Sequence, residues 1–93
     1  MPDTHEQVKA CATLMMILAY EDLPECHWIV FTEFGIEGSI VNREDDDDLY
    51  ALQMYAQKFG TGVRIDYSHH TGYTVGTYNG TPVRVTGKVR DHA

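Results

Sequence analysis

Between Val8 and Ala19, apolar side chains return every three or four residues: Val8, Cys11, Ala12, Met15, Leu18 and Ala19. That spacing lines them along one side of a helix, with Leu14, Met16 and Ile17 widening the stripe, so the first helix is predicted to be deeply packed. Asp3 and Thr4 precede it as candidate N-caps, with Glu6 and Gln7 three residues after each, where a side chain reaches back to the cap amide. Leu23-Pro24 ends it, because the residue before a proline is pushed out of helical geometry. From Cys26 to Phe34 the period changes to two, with Trp28, Val30, Thr32 and Phe34 on one face and His27, Ile29, Phe31 and Glu33 on the other. Gly35 lets the chain turn, and Ile36 to Val41 returns as a second strand with Gly38 as a candidate bulge.

The second helix opens over Asn42 to Asp48, buries Leu49, Leu52, Tyr55, Ala56 and Phe59, and ends where Gly60 suits the left-handed C-terminal position. Two alternating runs follow, Val63-Ile65-Tyr67 and Tyr73-Val75-Thr77, joined by the turn His69-His70-Thr71-Gly72. Asn79-Gly80 predicts a tight hairpin, because a type I′ turn needs positive φ at both central residues, and it leads into Val83, Val85 and Val89. Pro82 belongs near the start or edge of that last strand. The predicted order is α-β-β-α-β-β-β, an α+β fold in which an antiparallel sheet carries both helices on one face. In that register the opposite face displays Ile29, Phe31 and Tyr78, too apolar to be left wet without a purpose, so dimerisation or partner binding is expected there.

Ninety-three residues suffice for one core, and a single domain over 1–93 is expected, with a homodimer as a way to gain stability. The stretch Ala10 to Tyr20 falls well short of the roughly 18 apolar residues of a membrane span. Asp3 and Glu6 stand where a signal peptide would be basic, so a cytoplasmic location is expected. Cys11 and Cys26 are read as two buried free thiols, in keeping with a reducing compartment. The net charge of −7 divides into −10 over residues 1–48 and +3 over residues 49–93. Duplex DNA is therefore an unfavourable partner, since the phosphate term would be repulsive overall.

The N-terminal helix running into Leu23-Pro24 and His27-Trp28, the helix from Leu49 to Gly60, and the run Gly76-Thr77-Tyr78-Asn79-Gly80-Thr81-Pro82-Val83-Arg84-Val85 together resemble a group of small proteins of actinobacteria and their phages. The resemblance spans most of the chain and implies an accessory or phage-encoded role. It carries over no catalytic residue.

The acidic run Glu44-Asp45-Asp46-Asp47-Asp48 has three readings: a solvated helix start that complements the macrodipole, a docking patch for a basic protein surface or imitation of nucleic-acid phosphates, and a metal site. An EF-hand is not supported, because the run lacks the glycine at the sixth loop position. His69-His70 would meet His27 and Asp66 only if the first and third strands were neighbours, which would suit a transition metal. A nucleophile among Ser39, Ser68, Cys11 and Cys26 would need a histidine base and an orienting carboxylate. Arg64, Arg84, Lys88 and Arg90 with Tyr67, Tyr73 and Tyr78 have the ingredients of a single-stranded nucleic-acid platform. GxGxxG, P-loop, GxSxG and CxxC motifs are absent from the sequence, and neither cofactor nor metal is expected.

These features together predict a non-enzymatic binding protein, encoded by a phage or mobile element, that docks on a host bacterial protein. The candidate docking residues are Glu44, Asp45, Asp46, Asp47 and Asp48 at the helix start and Ile29, Phe31 and Tyr78 on the sheet. One alternative is an acidic nucleic-acid mimic that inhibits a DNA-binding or defence protein. The other is a metal-binding or enzymatic protein.

Overall fold

The second helix contributes more buried apolar residues than any other element among those described. In a computed structural model, which describes residues 4–31, 35–41 and 47–90, the elements are α1 (Thr4–Leu18), β1 (Cys26–Phe31), β2 (Gly35–Ile40), α2 (Leu49–Phe59), β3 (Arg64–Asp66), β4 (Thr71–Tyr78) and β5 (Thr81–Lys88). Leu52, Tyr55, Ala56 and Phe59 of α2 are buried at the expected three- and four-residue spacing. Gly60 closes the helix at φ 69°, its amide donating to the Gln57 carbonyl at 3.3 Å. Lys58, in the last turn, lies 3.7 Å from the Asp22 carboxylate and 4.3 Å from the centroid of the Tyr20 ring, which ties the segment after α1 to α2.

The five strands form one sheet in the order β1-β2-β5-β4-β3. The α+β class with seven elements in the expected order holds. The sheet itself is mixed, because β2 and β5 run parallel while the other three pairs are antiparallel. The chain between β2 and β5 contains α2 and the β3-β4 hairpin, long enough for the crossover that a parallel pair requires. Asn79 and Gly80 take φ 52° and 76°, the two positive values of the predicted turn between β4 and β5.

Register partners share a face, so the pairings sort the sheet into rows. Trp28, Gly38, Val85 and Thr74 form one row toward the helices, and Val30, Ile36, Val83 and Gly76 form the next. The Trp28 ring covers Gly38, where a Cβ would stand 2.7 Å from it, so this glycine is a packing requirement and not a bulge. On β4 the inward residues are Gly72, Thr74, Gly76 and Tyr78, opposite to the alternation expected from Tyr73 and Val75. Tyr78 therefore packs on the helix side, 6.0 Å from Phe59 and 6.3 Å from Tyr20 between ring centroids, with its hydroxyl 2.5 Å from that of Tyr20. Leu52 and Phe59 occupy the space above Gly72 and Gly76, and larger inward residues there would hold α2 away from the sheet.

The first helix departs most from expectation. From Val8 onward its buried residues are Ala10, Thr13 and Ile17, and of these only Ile17 joins the main cluster with Leu52, Tyr55, Phe59, Val83, Val85 and Val89. The Thr13 hydroxyl meets that of Thr81 at 3.0 Å, a polar tether to β5. Val8, Cys11, Ala12, Met15, Leu18 and Ala19, the predicted inward stripe, face solvent. A helix apolar on nearly every side has no unique inward direction, and the side with small residues permits the closer approach to the sheet. Cys11 is accordingly exposed and Cys26 half-buried, so the expectation of two buried thiols fails for Cys11. Among the described residues, no helix is long and apolar enough to cross a membrane.

Candidate functional site

The face of the sheet without helices is built by alternation. Ile29, Glu37, Arg84 and Val75 form a row across β1, β2, β5 and β4, and His27, Ser39, Thr86, Tyr73 and Arg64 form the row beside it. Ile29 is 55% exposed and Val75 is 51% exposed, unusual values for large apolar strand residues. Beside Val75 lies a hollow of about 370 Å³ lined by Phe31, Ile36, Glu37, Val75, Pro82, Val83 and Arg84. The walls are mainly hydrocarbon, while Glu37 and Arg84 supply one charge of each sign. Such a hollow accepts an apolar or aromatic side chain and offers polar contacts to the groups around it.

Of the sheet residues expected to dock a partner, the structure places Ile29 and Phe31 on this face and Tyr78 on the other. Val75, Pro82 and Arg84 take the place that Tyr78 was expected to fill. Their part was hidden in the sequence because β4 has apolar residues on both sides of its alternation, and strand order alone brings β4 and β5 beside β1 and β2.

Arg64 and Arg84 share the outer face, as expected, with Tyr73 near both. The Arg84 guanidinium carbon stands 5.1 Å from the Tyr73 ring centroid, so an intramolecular cation already covers the ring on which a base would stack. Tyr67 is exposed in the β3-β4 turn, and Tyr78 is on the helix side. The three tyrosines do not form one platform.

Glu44, Asp45 and Asp46 lie outside the described residues. Asp47 accepts the Leu49 amide at 3.1 Å, a local bond that starts α2. Asp48, at 4% exposure, is buried, and its carboxylate accepts the Lys88 amide at 2.8 Å. It is therefore a joint between α2 and β5 and is not available as a solvent-facing docking residue.

His27 is on β1 and Asp66, His69 and His70 are at β3 and its turn, on opposite edges of the sheet among the described residues. The first and third strands are not neighbours, so the metal constellation is not assembled, and no group of three potential metal ligands occurs among the described residues. Asp66, Ser68 and His69 do converge. The Asp66 carboxylate accepts from the Ser68 hydroxyl at 2.6 Å and the Ser68 amide at 3.1 Å, and its other oxygen is 2.7 Å from His69 Nδ1. These bonds, those from Ser68 first and then that from His69, hold the Asp66 carboxyl down at about 2. The serine hydroxyl is 3.1 Å from the same Nδ1 that faces the carboxylate. A nucleophile and its base need the two ring nitrogens divided between acid and alcohol, so this cluster is a turn-stabilising arrangement and not a catalytic triad.

Cys26 lies against α2, its thiol donating to the Tyr55 hydroxyl at 3.5 Å, while Tyr55 donates to the Pro24 carbonyl. Burial pushes the Cys26 thiol up to about 11 and raises Tyr55 as well, so Cys26 is held as an unreactive thiol. The Tyr78 hydroxyl is likewise raised, first by its bond with Tyr20.

Compared with known proteins, this chain matches no family model, no curated protein and no solved structure.

Proposed function

We propose that this chain is a non-enzymatic binding protein that docks on another protein through the helix-free face of its sheet, receiving an apolar side chain of the partner in the hollow beside Val75. The observation that supports this reading is the hollow itself, with Ile29 and Val75 more than half exposed along one register row. A protein partner suits a surface where apolar walls and one charge of each sign share a hollow, and where a single anchor residue contributes most of the affinity. In line with the resemblance to small proteins of actinobacteria and their phages, the partner is a bacterial host protein in the cytoplasm whose activity the chain modulates. Imitation of nucleic acid by the acidic run is the competing reading, and it would have to work without Asp48, whose carboxylate is buried.

The test is capture of partners from an actinobacterial lysate with the purified chain and two sets of variants. Val75→Asp and Ile29→Glu alter exposed side chains and are expected to leave folding within about 0.5 kcal/mol of the parent. Capture lost in these variants and retained when Asp45, Asp46 and Asp47 are changed to Asn supports docking through the sheet. The reverse pattern overturns it in favour of the mimic.

A further inference from the structure

From Val8 to Ala19, the side of α1 that faces away from the sheet carries no charged residue. At 3.6 residues per turn, Leu18, Cys11, Met15, Val8, Ala19, Ala12 and Met16 occupy an arc of about 160° opposite Ala10, Thr13 and Ile17. Ala19 belongs to this surface because its amide continues the helical pattern, donating to the Met15 carbonyl at 3.1 Å. Val8 is 66% exposed, Met15 72% and Leu18 60%. This inverts the ordinary arrangement of a surface helix, which turns its large apolar residues inward. Ala10, Thr13 and Ile17 hold the helix to its own sheet, while Val8, Met15, Met16 and Leu18 point away from it.

The spacing along that surface identifies what the surface fits. Val8, Cys11, Met15 and Leu18 are separated by steps of three, four and three, the seam by which one helix packs against another. Ala12 and Ala19 flank the seam with small side chains that allow close approach. We infer that α1 is a self-association surface, and that two copies of this chain pair through it as antiparallel helices about a two-fold axis, Val8 opposite Leu18 and Cys11 opposite Met15 of the second copy. In that register every seam position meets an apolar partner, and the two helix dipoles oppose one another. The area is sufficient. Side chains of this size contribute roughly 60 to 120 Å² each, so seven amount to on the order of 500 Å² per copy. Two copies therefore cover about 1,000 Å², the size at which a specific association of moderate affinity begins.

The pairing uses the side of the molecule opposite the hollow and does not depend on the function proposed for it. Sedimentation equilibrium over a micromolar to millimolar series reads the result. The wild-type chain is expected to approach twice its monomer mass, whereas Met15→Glu and, independently, Cys11→Lys remain monomeric with unchanged circular dichroism. Mixing these two variants restores the dimer, because residue 11 of one copy meets residue 15 of the other. A wild-type chain monomeric at every concentration overturns the proposal, as does a dimer that survives Met15→Glu and Cys11→Lys but is lost with Val75→Asp. Ready Cys11 to Cys11 cross-linking on mild oxidation, or failure of the mixed variants to pair, overturns the antiparallel arrangement.

Discussion

Asp48 and Lys88 are joined twice. The Asp48 amide donates to the Lys88 carbonyl at 2.7 Å, and the Lys88 amide donates to the Asp48 carboxylate at 2.8 Å. The pair fastens the start of α2 to the end of β5, and the Asp48 carbonyl accepts the Leu52 amide at 2.8 Å as the helix begins. Residues 40 positions apart thus share one small ring of hydrogen bonds.

Asp48→Ala leaves the Lys88 amide without its side-chain acceptor, and a hydrogen bond to a charged group contributes about 2 kcal/mol. Asp47→Ala removes the local bond to the Leu49 amide, comparable to a lost cap at about 1 kcal/mol. Urea unfolding of the two variants is expected to rank Asp48→Ala as the more damaging. Equal losses would contradict the role given to the Asp48 joint.

Two glycines should fail for different reasons. A methyl group at Gly38 would stand 2.7 Å from the Trp28 ring, so Gly38→Ala is expected to cost about 1 to 3 kcal/mol through overpacking. Around Gly60 there is open space, yet its φ of 69° is left-handed, and Gly60→Ala should cost only about 1 kcal/mol. Near-ultraviolet circular dichroism distinguishes them, since only the change at Gly38 displaces the tryptophan.

The two thiols should react at very different rates. Cys11 is exposed and Cys26 is held against Tyr55 with its ionisation raised from 9.0 to about 11. At pH 8, in the Met15→Glu chain whose α1 surface stays unpaired, a disulfide reagent is expected to modify Cys11 promptly and Cys26 only after denaturant is added. Because the folded state keeps the Cys26 proton longer than the unfolded chain does, its contribution to stability is complete below pH 9 and is lost as the pH rises toward about 11. Cys26→Ala should flatten the stability curve over that window. An unchanged alkaline slope would contradict this.

Acid should act through Asp66. Its carboxyl is lowered from 3.8 to about 2 by Ser68 and His69, so the stabilisation is present above pH 4 and disappears as the pH falls toward 2. Asp66→Asn is expected to remove the pH dependence in that interval. Nuclear magnetic resonance titration of the side-chain carboxyl checks the same point directly, and an ordinary midpoint near 4 would refute it.

The contrast between α2 and α1 explains how much the sequence reveals. In α2 Leu49, Leu52, Tyr55, Ala56 and Phe59 recur as one stripe and Gln53, Gln57 and Lys58 stand outside it, so the spacing has a direction and the buried set could be read in advance. In α1 apolar residues surround the axis, so periodicity established a helix but not its orientation. Likewise β5 has valines on one face only and was legible, whereas Tyr73, Val75 and Tyr78 put apolar groups on both faces of β4 and left its register undetermined.

What the chain determined by itself was local: seven elements in order, the Asn79-Gly80 turn, the Gly60 cap, the inward stripe of α2 and the paired faces of β1. Each depends on residues within a few positions of one another, where steric and hydrogen-bonding preferences act without help from the rest of the molecule. Tertiary structure decided the parallel pairing of β2 with β5, the inward placement of Tyr78, the burial of Asp48, the separation of His27 from Asp66 and the outward seam of α1. These depend on which strands become neighbours and on how closely each helix can approach the sheet, and such choices are made by packing over the whole core.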